Sequence, residues 1–390
     1  METTSQAGTR YVAYFTKGLA DVVASEIRTL VPGATLGETA DRFAVIAADG
    51  AGLARLRSQG RTFDDIRLLV AGPATIEDAA SFDRLCAQAA AATRAYLDEN
   101  DAARADVAPW SVTMSARTPS WRRTPGWDPA GPVTARLGGA DLQARTRSAV
   151  DLRIQVDGEQ AHISVNLTGR PHGQRSGGPV RPGALRPSVA ASLVRLALDA
   201  ADPATARRGL YDPCCGTGTI AAEAVRLSLP VYASDIDAEA VSITTQRLAD
   251  LGGLADLAGC ADLPGLAGPG SRGRPGRPGE PGRAAGPPPR VRVFRRDVLT
   301  GVPRDVAARV VASNLPWGKQ VRLASHRELF DAIAALTAQA VADGGASALL
   351  TTSPEQLVAR IRRRAPTARI TTRRIGLLGQ TPTVVVAQPG

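Results

Sequence analysis

Lysine is almost missing from this sequence: of 47 basic residues in 390, only Lys17 and Lys319 are lysine and the rest are arginine. Cysteine is equally sparse. Cys86, Cys214, Cys215 and Cys260 cannot build a disulfide framework for so long a chain, and none stands in a CxxC pair. His162, His172 and His326 are scattered, so no metal site is expected. No apolar run approaches the roughly 20 residues that cross a bilayer. The opening METTSQAGTR lacks the basic-then-apolar layout of a secretion signal, so a cytoplasmic protein with no membrane partner is expected. A GxxxxGK[ST] phosphate loop is also lacking, which disfavours ATP hydrolysis.

What is present is an apolar fraction of 44% in a chain long enough for two or three domains. The net charge of +10 invites a polyanion, although arginine, alanine and glycine also accumulate in GC-rich coding sequence. Position says more than the total. Residues 1–100 carry 10 basic and 13 acidic side chains, whereas 101–190 carry 12 and 7. The densest basic cluster is seven arginines between Arg360 and Arg374. A basic middle and end fit a polyanion bound across the later domains.

The first seventy residues alternate strand and helix signals: RYVAYF, a helix over Gly18–Leu30, RFAVIA, AGLARLRSQ and DIRLLVAG. Two helices among several strands predict a small ferredoxin-like α+β unit. An amphipathic helix over 79–97 opens a second unit, followed by the strand signals WSVTMSAR, DLQARTR, DLRIQVDG and AHISVNL. Between the first two lies a Pro- and Gly-rich loop with Trp121, Arg122, Arg123 and Trp127, residues able to stack on bases and pair with phosphates. From LRPSVAASLVRLALDA onward, helices and strands alternate as in a parallel, doubly wound sheet. The unit closes on two strands suited to an antiparallel edge. Sixteen of residues 261–290 are Gly or Pro, which reads as a disordered surface insertion.

The chemistry concentrates at strand ends. After the strand GLYD come Asp212, Pro213, Cys214, Cys215, Gly216, Thr217, Gly218 and Thr219, a Gly-rich turn entering a helix. The next strand ends in Asp235, spaced to accept two ribose hydroxyls, with Ile236 after it. A third ends in Arg295, Arg296 and Asp297, a carboxylate placed to accept from an adenine amine, with Val298 beside it. A fourth ends in Asn314, Leu315, Pro316, Trp317 and Gly318.

DPCCGTGTIAAEA followed by SNLPWGKQ resembles the class I S-adenosylmethionine methyltransferases that carry an N-terminal THUMP domain and modify RNA, and looks like their tRNA guanine-N2 branch. The resemblance extends to KGLADVVASEI, RTFDDIRLLV and VDLRIQVDGEQAHISVNLTGRPHGQRSG, and so to most of the chain outside 252–290. It implies a Rossmann-like methyltransferase domain with a seven-stranded, mostly parallel sheet over 171–390, carrying a disordered insertion over 252–290. A ferredoxin-like domain over 1–73 and a THUMP RNA-binding domain over 74–170 would precede it. S-adenosylmethionine is the implied cofactor, held by Asp212, Pro213, Cys214, Gly216, Gly218, Thr219, Asp235, Ile236, Asp297, Val298 and Asn314. Asn314 and the Leu315 carbonyl would accept hydrogens from the base amine, Pro316 would stiffen the turn and Trp317 would stack on the flipped base. Arg181 to Pro187 looks like a segment lining the cofactor pocket, and His172 like a linker residue. Carbon-5 pyrimidine enzymes place a nucleophilic cysteine in or after the fourth motif, where this sequence has none, so Cys214 and Cys215 are expected to shape the turn.

The implied activity is methyl transfer to N2 of a guanosine in tRNA, at a position-6-like site in the acceptor stem. A monomer would grip the tRNA 3′ end through the THUMP domain. Alternatives are an rRNA guanine-N2 or adenine-N6 methyltransferase, or a non-catalytic RNA-binding protein with a vestigial cofactor fold.

Overall fold

The computed structural model describes residues 9–99, 110–117, 150–157, 159–166, 184–251, 291–301, 303, 306–316, 326–377 and 379–390. The chain divides into two compact units, Met1–Ser176 and Gly177–Gly390.

The first unit begins with β1 (Thr9–Tyr14), α1 (Ala20–Leu30), β2 (Thr35–Thr39), β3 (Phe43–Ala48), α2 (Gly50–Gln59) and β4 (Asp65–Thr75). Strand β1 pairs antiparallel with β3 and β4, and β2 with β3, giving the order β2-β3-β1-β4. That order on a βαββαβ chain is the expected ferredoxin-like arrangement. Helix α1 forms because Val22, Val23 and Ile27 recur at helical spacing and bury on one face. Glu26 is buried on that face too. Its carboxylate accepts the N–H groups of Arg61 and Thr62 at 2.9 and 2.8 Å and the Thr62 hydroxyl at 2.6 Å, which fastens the segment after α2.

The domain boundary expected at residue 73 falls inside β4. Its first half pairs with β1 over Asp65–Leu68, and its later residues pair with β7 (Gln160–Asn166). The register shifts between Leu69 and Ala71 and between Ala71 and Ala74, around Gly72 and Pro73. Gly72 sits at φ +82, where a Cβ would meet the Ala161 carbonyl at 2.6 Å. The two expected N-terminal domains therefore share one seven-stranded sheet, continued by β6 (Val150–Asp157) and β5 (Trp110–Arg117). Helix α3 (Ala79–Glu99) supplies Phe82, Leu85 and Ala89 to the same core as Leu152, Ile154 and Ile163. The tryptophan–arginine loop, DLQARTR, His172 and the insertion lie outside the described residues.

The other face of this sheet carries a buried polar group. The Tyr14 hydroxyl lies 2.8 Å from both His162 Nε2 and Ser164 Oγ, and the Arg153 guanidinium sits 3.9 Å above the Tyr14 ring. Burial first, and the Arg153 charge second, push His162 down to about 3.

The second unit is a doubly wound sheet in the order β10-β9-β8-β11-β12-β14-β13. Its strands are β8 (Leu210–Asp212), β9 (Val231–Asp235), β10 (Val291–Arg295), β11 (Val310–Asn314), β12 (Ala346–Thr351), β13 (Arg369–Arg374) and β14 (Thr383–Gln388). The first five in sequence are parallel, and β14 is antiparallel to both β12 and β13. The connecting helices are α4 (Pro187–Asp199), α5 (Thr219–Arg226), α6 (Ala238–Asp250), α7 (His326–Ala342) and α8 (Pro354–Arg364). Helix α8 was not expected from the sequence. Leu357 and Ile361, four apart and fully buried, anchor it to the core despite its arginines. The chain order reverses between β8 and β11, the switch point where open α/β sheets take ligands at their carboxyl ends.

His162 gives the fold a pH signature. A folded value below the ordinary 6.5 means stability present above pH 6.5 and lost as pH falls toward about 3. His162→Gln removes that titration. Urea unfolding of the first unit should show wild type losing up to a few kcal/mol relative to the variant between pH 7 and 4. A constant difference across that range would mean His162 is not held neutral.

Candidate active site

Two chain segments meet at the switch point. The first leaves β8 at Asp212, turns through Pro213 to Gly218 and enters α5. Gly218 caps that helix at φ +73, and a Cβ there would strike the Thr244 side chain at 2.7 Å. Glycine is required twice over, by conformation and by space. Gly216, at φ +53, faces open space instead, which leaves room for a ligand to approach the turn.

The turn is fastened from β9 and α6. The Cys215 N–H donates to the Ser234 carbonyl at 3.0 Å and the Gly216 N–H to Asp235 Oδ2 at 2.8 Å. Thr244 Oγ1 donates to the Gly216 carbonyl at 2.8 Å. The Thr219 hydroxyl accepts from Arg247 at 2.8 Å, so this expected binding residue spends its side chain on the scaffold. Burial, the nearest carboxylates next, raises the thiols of Cys214 and Cys215 well above 9.0. They are protonated and poor nucleophiles, in line with a shaping role.

The second segment is the end of β11. Ser313, which the sequence reading passed over, donates its hydroxyl to Asp212 Oδ1 at 2.7 Å. Asp212 is 1% exposed and also accepts the Cys214 N–H at 3.3 Å. Asn314 follows, and the Leu315 N–H donates to the Leu350 carbonyl at 3.0 Å. The Leu315 side chain is fully buried in the apolar core, so its carbonyl is the group left for chemistry. Pro316 is half-buried. Trp317, like Arg181 to Gly183, lies outside the described residues.

Asp235 ends β9 as expected, whereas Asp297 stands two residues beyond β10, which ends at Arg295. Asp235 accepts the Gly216 and Asp237 N–H groups, which leaves two of the roughly four acceptor positions of a carboxylate for a diol. Asp297 accepts the Leu299 N–H at 2.9 Å, shaping the single turn Val298–Thr300. Ile236 and Leu299 are 59% and 47% exposed, two of the three large apolar side chains so exposed among the described residues. Exposed apolar side chains beside these two carboxylates fit a flat heterocycle with an attached ribose. These residues therefore fit S-adenosylmethionine in composition and placement. A cavity of about 460 Å³, lined by Tyr211, Val298, Leu299, Asp331, Ala335, Leu336 and others, opens beside α7 and shares Val298 and Leu299 with this region. Neither Asp212 nor Asn314 lines it. Among the described residues no three His, Cys, Asp or Glu side chains are grouped to hold a metal, and no helix is long and apolar enough to cross a membrane.

The fold is the α/β fold shared by the solved methyltransferases that the chain resembles. The UPF0020 family, RMKL-like methyltransferase domain, matches residues 179–252. A curated relative, tRNA (guanine(6)-N2)-methyltransferase of Thermus thermophilus, is 38% identical over 105 residues, which is 26% of this chain and 29% of that protein. The chain thus spans under a third of the curated relative it matches. The crystal structure of TrmN from Thermus thermophilus superposes with a TM-score of 0.63 at 22% identity, over 98% of this chain and 100% of that one. SMU.472, a putative methyltransferase complexed with SAH, superposes at 0.62 and 13% identity, over 99% of both chains. The resemblance expected from DPCCGTGTIAAEA is carried by the domain match, the curated relative and the shared fold.

Asp212 generates a pH prediction. Burial raises its carboxyl from 3.8 to about 7, outweighing the Ser313 and Cys214 hydrogen bonds that favour the charged form. A raised folded value gives stability that is present at low pH and lost as pH rises through about 7. Asp212→Asn keeps an acceptor but cannot ionise. Between pH 4 and 8 the variant should gain a few kcal/mol over wild type in urea unfolding of the second unit. Parallel pH curves would sink the assignment.

Proposed function

We propose that this protein is an S-adenosylmethionine-dependent RNA methyltransferase that methylates N2 of a guanosine in the acceptor stem of a tRNA. The observation that carries the reading is the 2.7 Å bond from Ser313 to Asp212, which ties the amine-accepting segment to the cofactor turn. The curated relative's name supports the substrate class.

The bound cofactor supplies an electrophilic methyl on a sulfonium. The chain's residues do the rest. Gly216, which leaves space where a side chain would stand, and the first turn of α5 would receive the cofactor's amino-acid end, Asp235 would accept its ribose hydroxyls, and Ile236, Val298 and Leu299 would flank its base. An exocyclic guanine amine is conjugated to its ring and is a poor nucleophile. Asn314 Oδ1 and the Leu315 carbonyl accept its two hydrogens, turning the nitrogen lone pair toward the methyl and stabilising the positive charge that develops there. Trp317 stacks on the base, which must leave its helix to arrive. When bound, the cofactor would supply the methyl, and the proton that the amine loses on transfer would pass to water. We further propose that the first unit, a ferredoxin-like half fused to a THUMP-type half, holds the tRNA 3′ end in a monomeric, cytoplasmic enzyme.

Asn314→Ala should leave cofactor binding by calorimetry within about twofold while cutting transfer to unmodified tRNA by about 10²-fold, the usual loss for one preorganised acceptor. Asn314→Asp, which keeps an acceptor oxygen, should retain part of the rate. Mass spectrometry of nucleosides from the product should show N2-methylguanosine. A methylated adenosine, or turnover only on rRNA, would redirect the substrate assignment; full activity in Asn314→Ala would overturn the mechanism.

A further inference from the structure

Residues 356–390 contain seven arginines and no acidic residue. The fold lays them out in a particular way. Arg362, Arg363 and Arg364 are exposed on the last turn of α8, and Arg369 and Arg374 are exposed on β13, the edge strand of the sheet. Arg360 pairs with Asp331 at 3.2 Å. Among the described residues no carboxylate lies within ion-pair distance of Arg362, Arg363, Arg369 or Arg374.

The sheet register connects this edge to the site. Asn314 is level with Leu350, Leu350 with Val384, and Val384 with Arg373. Thr351, Thr383 and Arg374 form the next row. Two antiparallel steps separate β12 from β13, so β13 runs parallel to β11 and ends at the same edge of the sheet. Three strand spacings of about 4.8 Å place the carboxyl end of β13 roughly 14 Å from Asn314. Arg369 lies about 17 Å further down the strand at ~3.3 Å per residue and, five positions from Arg374, leaves from the opposite face of this open edge.

Two ordinary explanations fall short. A charge or two is enough to stop an edge strand from pairing with another chain. The last turn of α8 accounts for Arg362 to Arg364 through the helix dipole, but not for Arg369 and Arg374. A row of this length exceeds what one small anion can occupy. Charges spread along an open sheet edge and the neighbouring helix end suit a phosphate polymer passing along that edge.

We propose that the β13–α8 edge is a docking rail for the phosphodiester backbone of the RNA that flanks the nucleotide delivered to Asn314. This rests on the reading of the site as an RNA methyltransferase. The rail would set substrate affinity and register without touching the chemistry.

The test uses the full chain with two double variants, Arg369→Gln/Arg374→Gln and Arg362→Gln/Arg363→Gln. Binding of unmodified tRNA is followed by fluorescence anisotropy across a salt series, with cofactor calorimetry and the rate at saturating tRNA as controls. Each lost phosphate contact lowers the slope of log affinity against log salt by about 0.7–0.9, so each pair should lower it by about 1.4–1.8. Affinity near 0.1 M salt should fall about tenfold or more, with cofactor binding and saturated rate unchanged. Arg369→Lys/Arg374→Lys should restore most of the binding, because lysine still meets phosphate as a point charge. An unchanged slope in both Gln variants, whether or not affinity falls, overturns the rail, as does a wild-type protein that binds no tRNA. Absence of methyl transfer by wild-type protein that does bind tRNA overturns the reading of the site instead, and the salt series still decides the rail.

Discussion

The hydrogen bond from Ser313 to Asp212 is the constraint on which the candidate site depends. It spans neighbouring strands at the reversal of chain order and fixes the Asn314 backbone relative to the cofactor turn. Asp212 is buried and accepts both Ser313 and the Cys214 N–H, so one carboxyl sets the start of the turn and the end of β11 together. Moving either strand end would leave an unsatisfied polar group in the interior, at a cost of about 1–3 kcal/mol. The arrangement is rigid for that reason. A positioned acceptor lowers a barrier only if it need not be reorganised during the reaction.

One buried group in each unit is held toward its neutral form, with opposite consequences for pH. Burial holds His162 neutral in the first, so acid works against that unit. Burial also favours the neutral form of Asp212 in the second, so base works against that one. The physical cause is shared: an interior disfavours whichever form carries charge. The opposite signs arise because protonation charges a histidine and neutralises a carboxyl. Asp212 sits beside the proposed place of a cationic cofactor, whose charge would draw the carboxyl toward ionisation.

Much of the second unit was legible because its signals are local. GLYD, VYASD, VRVFRRD and RVVASN are short apolar runs bounded by Gly, Pro or charged residues, and each became a strand of the parallel sheet. Asp212, Asp235 and Asn314 end those strands and Asp297 follows β10 by two residues; position suggested the roles of Asp235 and Asp297, and the family resemblance that of Asn314. Helix α8 was obscured because its arginines outnumber the two apolar residues, Leu357 and Ile361, that hold it down. Strand β2 was missed because Thr35–Thr39 is polar and almost wholly exposed, an edge with no hydrophobic alternation. The boundary at 73 failed for a related cause. Gly72 and Pro73 read as punctuation, yet a strand with a register shift absorbs both.

The sequence by itself determined most of the element types, the Gly-rich turn and the Asn314-Leu315-Pro316 motif, since each is written in residues close together along the chain. It could not reveal that Ser313 reaches Asp212, 101 positions away, or that Thr244 is what makes glycine obligatory at 218. Nor could it show that Arg373 is level with Asn314 across three strand pairings. Those facts depend on strand order and register, which are chosen by how whole faces bury against one another. Only the tertiary structure decides them, because no local stretch of chain contains the partner.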